Sequence, residues 1–296
     1  MNDNTRKIVV GVDSSPEAAA ALDWARRAAG PDDEIVAVRA WAVPYTATSQ
    51  FMVAVFPDDF QQAAKAGLDE IVGALDDPRV VPVVREGRPG PTVVDEAARG
   101  NDRRADLIVV GHRGDSRVAL MLGSTANYVL HHADSPVVVV RGDVPAGGSP
   151  VGNVVVGVDD HDLEPGGNVV NESVRAVQWA YGLPGVERIR VINAWFLPPV
   201  AIGVYPALGT DLAPMDEAAL AAVDRVLAAA GPAPDGVTIE RDAVRGAAGV
   251  ALVDESRDAD LVVVGSRGVG SLRGLLLGST SAEVASRAHS PVAVIR

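Results

Sequence analysis

The sequence predicts an α/β protein of two tandem doubly wound domains, each a five-stranded parallel sheet of Rossmann-like order 3-2-1-4-5. Three observations predict it. Five landmarks recur in the same order in the two halves of the 296-residue chain. Short β-branched runs free of polar residues alternate with Ala-rich stretches of helical spacing, and such runs suit strands covered on both faces of a parallel sheet. A glycine-rich segment then follows the fourth strand of each half.

The elements follow in order. "IVVGV" reads as the first strand, and the polar turn from Asp13 to Glu17 starts a helix, with Ser15 as cap before Pro16 or Ser14 boxed with Glu17. "PEAAAALDWARRAA" continues that helix, "IVAV" is the second strand, "VVPVV" the third, "LIVV" the fourth and "PVVVV" the fifth. The second half answers with "NVVVGVDDH", "IRVINAW", the helix "MDEAALAAVDRVLAAA", "DAVRGAAGVALVDES" and "AHSPVAVIR". Trp24 and Trp179, in the first helix of each half, are expected in the core.

Corresponding residues lie 146 apart for Asp13 and Asp159, 154 for Trp41 and Trp195, 154 for Gly111 and Gly265, and 155 for Pro136 and Pro291. The first offset is short because "HDLEPGGNV" is inserted after Asp159, and "ARGNDRR" in the first half balances it later. A solenoid repeats every ~20–50 residues, so this period is a domain duplication. The Gly- and Pro-rich joint "GDVPAGGSPVG" reads as a linker, which places domain 1 at 1–143, the linker at 144–152 and domain 2 at 153–296.

Composition bounds the function. Cysteine is absent, removing disulfides and thiolate chemistry. No apolar run approaches the ~18–20 residues of a membrane span, and the polar turn after "KIVVGVD" leaves no signal-peptide core. A net charge of −13 argues against nucleic acid and anionic membranes as partners. A cytoplasmic protein is expected. The histidines lack metal spacing, with His131 and His132 at a helix end where the dipole favours them. No G-x-x-x-x-G-K-[ST], no G-x-G-x-x-G after strand 1 and no G-x-S-x-G elbow occur.

Winding reverses between strands 1 and 4, where such folds bind ligands beyond the strands' carboxyl ends. Gly11 and Asp13 stand there with Gly111 in the first half, and Gly157 and Asp159 with Gly265 in the second. Gly111-His112-Arg113-Gly114 and Gly265-Ser266-Arg267-Gly268 are expected to use positive φ and to let main chain approach a ligand, with amides forming an anion nest. Gly123-Ser124-Thr125 and Gly278-Ser279-Thr280 read as helix starts with hydroxyl residues at the cap, whose amides also favour phosphate. Arg113, Arg117, Arg267 and Arg273 make these loops basic in an acidic chain; a surface ion pair is the other reading of each, and the favoured one for Arg117 and Arg273. Asp13 has two readings: it satisfies turn amides at its own helix cap, or it accepts from the base or sugar end of a ligand.

The series "VVGVDSS … AW … G-x-x-G … GST … SPVVVVR" resembles the universal stress protein family over nearly the whole chain. The ATP-binding branch of that family carries G-x-x-G, nine residues and G-[ST]. Nine residues separate Gly268 from Gly278, and eight separate Gly114 from Gly123. The second half also has Asp160-His161 where the first has Ser14-Ser15. The resemblance implies that Asp13 and Asp159 meet adenosine, that the backbone at Ala40 and Ala194 meets adenine, and that the glycine segments hold ribose and phosphates. It further implies ATP, alone or with Mg²⁺, as ligand, pairing through the last strands as a homodimer, and a regulatory partner that the sequence does not identify. The function expected is an ATP-binding stress regulator or sensor with one site per domain. The alternatives are a slow ATPase, a nucleotide-activating enzyme of related fold, whose "SGGxDS" turn "GVDSS" does not match, and an interaction module with vestigial pockets.

Overall fold

The structure is a computed structural model that describes residues 5–43, 57–99, 104–113, 122–141, 149–160, 163, 171–196, 212–267 and 277–296. The chain divides into two compact units, Met1–Val144 and Pro145–Arg296.

In the first unit β1 (Lys7–Gly11), α1 (Pro16–Ala28), β2 (Glu34–Trp41), α2 (Pro57–Gly73), β3 (Val80–Glu86), α3 (Pro89–Ala98), β4 (Leu107–Gly111), α4 (Ser124–His132) and β5 (Val137–Val140) alternate along the chain. The strands pair in parallel in the order β3-β2-β1-β4-β5. The second unit repeats this with β6 (Asn153–Gly157), α5 (Glu172–Tyr181), β7 (Arg188–Trp195), α6 (Ala213–Ala230), β8 (Thr238–Arg245), α7 (Ala248–Glu255), β9 (Leu261–Gly265), α8 (Ser279–Arg287) and β10 (Val292–Ile295). Its order is β8-β7-β6-β9-β10, again parallel. The expected order 3-2-1-4-5 therefore holds in each unit.

Local chemistry explains the starts and stops. Ser15 caps α1 by accepting from the Ala18 amide at 3.2 Å, with Pro16 at the first helical position. Asn171 does the same for α5, accepting from Ser173 N at 2.6 Å. Gly87 and Gly246, just past β3 and β8, hold φ of 143° and 150°, a region that favours glycine. Their amides donate to the carbonyls of Trp41 (2.8 Å) and Trp195 (2.9 Å). These turns send the next helix back across the carboxyl ends of the strands.

Central strands are buried throughout; Ile8, Val9 and Val10 are wholly inaccessible. The expectation of cover on both faces fails for β3, which pairs only with β2 and exposes Val81 and Pro82, and for β8, which carries Glu240, Arg241 and Asp242. At the opposite end of the sheet, the buried Lys7 Nζ donates to the carbonyls of Glu96 (3.1 Å) and Arg99 (3.0 Å), closing the end of α3.

Trp24 is fully buried, as expected, on the face of α1 shared by Ala21, Leu22, Ala25 and Ala28. Trp179 is only half-buried. The buried residues of α5 are Ser173, Val174, Ala176, Val177 and Ala180, and Trp179, at the same helical phase as Trp24, stands at the margin of that face. Replacing a buried Trp removes its transfer free energy and leaves a cavity. Trp24→Ala should therefore cost about 3–5 kcal/mol, and Trp179→Ala about 1 kcal/mol, measured by denaturant unfolding of each variant.

Candidate functional site

In the first unit a cleft of about 260 Å³ opens at the carboxyl ends of β1 and β4, the position where winding reverses. One wall is apolar: Val12, Ala18, Val38, Val93 and Val110, with Pro89 from the start of α3. Asp13, Arg113 and the first residues of α4 line the polar remainder, and Ala40 lies on the β2 side. The shape is therefore a greasy slot that leads to a basic, amide-rich end.

Main-chain bonds hold the slot open. The Val12 amide donates to Val38 O at 2.8 Å, tying the end of β1 to β2, and the His112 amide donates to Val140 O at 2.7 Å. The Gly123 amide then donates to His112 O at 2.8 Å, which brings the start of α4 onto the end of β4. His112 is buried, and its main chain organises the site. Ser124 and Thr125 occupy the first helical positions behind the cap residue Gly123. The hydroxyls are thus not at the cap, and no side chain caps α4, which leaves its first amides directed at the cleft.

The glycines work differently from expectation. Gly123 has φ −61° and Gly278 φ −73°, and neither Gly111 nor Gly265 is among the described glycines with positive φ. What they need is closeness. A Cβ on Gly111 would lie 2.9 Å from the carbonyl of Glu17, and one on Gly278 3.2 Å from Ser266 O. Gly11 and Gly157 have a packing role, because a Cβ would lie 3.1 Å from Val93 and 2.6 Å from Leu252.

Both readings of Asp13 apply together. Its Oδ1 accepts from the Ser15 amide at 2.9 Å and from the Ser15 hydroxyl, fixing the turn before α1, and the residue still lines the cleft. Beside it Arg39 donates to Ser14 Oγ at 2.7 Å. Arg141, one residue past β5, was missed in the sequence. Burial, joined by repulsion from the Arg113 guanidinium, lowers its pKa. The signal lay in the final Arg of "PVVVVR", matched by Arg296 after "PVAVI".

The second unit repeats the frame. The Val158 amide donates to Ile192 O at 2.9 Å, Ser266 N to Ile295 O at 2.7 Å and Gly278 N to Ser266 O at 2.7 Å. Ser281 Oγ adds bonds to Ser266 O (3.1 Å) and Gly278 O (3.0 Å). Ser279 and Thr280 open α8 behind the cap Gly278, and Ala194 precedes the last residue of β7. Near Asp159 the capping differs: its amide donates to Ser173 Oγ at 2.9 Å. The acid added at Asp160 is matched by Arg225 of α6, at 2.7 Å through Nε. On the β7 side Trp195 Nε1 donates to Asp216 at 2.9 Å, and Arg245 both pairs with Asp216 and stacks 5.6 Å over the Trp195 ring. The Arg245 hydrogen bond, aided by Trp195, holds Asp216 below the usual carboxylate range.

Gly114, Arg117, Gly268 and Arg273 lie outside the described residues, as does most of the spacing between the paired glycine elements. His131 and His132 end α4, each with Nδ1 hydrogen-bonded to the carbonyl four residues back, at 2.7 and 2.8 Å. Among the described residues no group of His, Asp or Glu gathers to hold a metal, and no helix is long and apolar enough to cross a membrane.

Comparison with known proteins places this arrangement. Residues 4–141 and 151–296 each match the universal stress protein family. A universal stress protein of Mycolicibacterium smegmatis is 31% identical over 304 residues, covering 98% of this chain and 96% of that one. One from Mycobacterium tuberculosis is 32% identical over 305 residues, with the same two coverages. The crystal structure of a universal stress protein from Archaeoglobus fulgidus aligns over 97% of this chain and 95% of its own with a TM-score of 0.64; at 20% identity it shows the shared fold.

The close approach of β4 to α1 is directly testable. Gly111→Ala forces a methyl against main chain and should destabilise by about 1–3 kcal/mol. Gly73→Ala, where nothing lies within 4 Å, should be neutral or stabilising by up to about 1 kcal/mol. Thermal melts of the two variants read opposite signs.

Proposed function

The chain belongs to the universal stress protein family, and from that premise we propose that each half binds an adenine nucleotide, ATP in the first instance, as a regulator or sensor of stress. One observation carries the reading: a cleft that is apolar along Val12, Val38, Val93 and Val110 and ends at Arg113 and the uncapped start of α4. A flat base needs the first part and a phosphate chain the second. The base lies against Ala40 and the β2 side, and Asp13 accepts from the sugar, since a carboxylate beside phosphates is unfavourable. Gly111, Gly123, Ser124 and Thr125 border the phosphates, and their second-half counterparts act likewise.

Binding rather than catalysis fits the chemistry present. Asp13 is the one carboxylate among the cleft's described lining residues, and its Oδ1 is engaged by Ser15. A Mg²⁺ ion would therefore arrive with the triphosphate and be held mainly by it. A cytoplasmic, homodimeric protein belongs to the same reading, with sedimentation as the check on assembly.

Isothermal calorimetry with ATP and with adenosine tests it. Arg113→Ala should weaken ATP binding to the first half about tenfold or more, the value of a charge-assisted hydrogen bond, and leave adenosine within about twofold. Equal losses for both ligands, or no binding of either, would remove the proposal. Nucleotide released on heat-denaturing freshly purified protein identifies the natural ligand.

A further inference from the structure

The two halves share a frame and differ in where the carboxylate of one helix-start glutamate is engaged. Glu172, the first residue of α5, lies against the end of β9, where a Cβ on Gly265 would meet its own Cβ at 2.9 Å. Its Oε2 accepts from the Arg267 amide at 2.6 Å and from Ser266 Oγ at 2.9 Å. Its Oε1 stands 3.5 Å from Arg267 Nε. Those three donors are a main-chain amide after the β9 glycine, a hydroxyl and a guanidinium, the set that grips a phosphate oxygen. In the first half α1 begins with Pro16, and the atoms nearest a Cβ on Gly111 are the carbonyl of the half-buried Glu17, at 2.9 Å, and its Cβ, at 3.1 Å.

We propose that Glu172 is a selectivity residue: its carboxylate sits where a nucleotide phosphate would bind in the second half, so that half takes polyphosphates more weakly than the first and favours a ligand uncharged at that end, a nucleoside. This inference rests on reading both halves as nucleotide sites. A phosphate entering the second cleft must displace two hydrogen bonds and an ion pair, or lie beside a like charge. Adenosine meets neither obstacle. Elsewhere in the second half Arg225 pairs with Asp160 and Arg245 with Asp216.

Calorimetry of the full chain tests the proposal, titrating ATP and adenosine into wild type, Glu172→Gln and the control Glu17→Gln. Wild type should show one stronger ATP site per chain and a second weaker by about tenfold or more. Glu172→Gln keeps the shape and removes the charge, and should strengthen the weaker site about tenfold. Adenosine should fill both halves of wild type with affinities within about threefold, unchanged by either substitution. Glu172→Ala serves if the glutamine variant does not fold. Two equal ATP sites in wild type would overturn the role of Glu172 while leaving the nucleotide reading intact. So would a single ATP site that Glu172→Gln and Glu172→Ala both fail to supplement. If neither ATP nor adenosine binds any of the proteins, the nucleotide reading falls and this inference with it.

Discussion

The site frame depends on one main-chain hydrogen bond made once in each unit: the Gly123 amide to the carbonyl of His112, and the Gly278 amide to the carbonyl of Ser266. Alone, such a bond contributes only about 1 kcal/mol net. Its importance is geometric, because it fixes the start of a helix against the end of a buried strand. The donors at that helix start and those after the strand then face the same space. The residues that seemed made for flexible turns are instead there to permit contact. Gly111 and Gly265 let the strand ends press against the first helix, and Gly278 lets its helix touch the Ser266 carbonyl.

Much of this was legible in the sequence, for identifiable reasons. Val- and Ile-rich runs without polar residues mark buried parallel strands, and the duplicated landmarks make each half a check on the other. Strand order follows from the handedness of the crossovers once five strands are recognised. Trp179 shows the limit of reading by analogy. It shares residue type and helical phase with Trp24, each preceding an inward-facing alanine, yet Trp24 is buried and Trp179 stands at the margin. Positive φ at the site glycines was equally a composition-based expectation. A glycine is silent about whether it is needed for its backbone angle or for its missing side chain, and only the neighbours of Gly111 and Gly278 decide it.

Charge is where duplication diverged. Main-chain bonds repeat almost atom for atom between the halves, since hydrogen bonding in a parallel sheet is indifferent to side chains. The polar rim has no such constraint. Asp160, Glu172 and Asp216 in the second half meet Arg225, Arg267 and Arg245. Sequence comparison of the halves shows the added acid at Asp160 but not its partner, because Arg225 lies 65 residues away on another helix.

The outer strands carry a different consequence. In β3 Pro82 replaces an amide on the strand that pairs only with β2, and in β8 Glu240, Arg241 and Asp242 succeed one another. A row of unused amides and carbonyls invites an incoming strand, and these flanks present a missing donor in one case and a string of charges in the other. Amyloid-like stacking needs a flat, uncharged, unbroken template. For a chain whose interior is so rich in valine, β3 and β8 are thereby poor templates for another copy's strand.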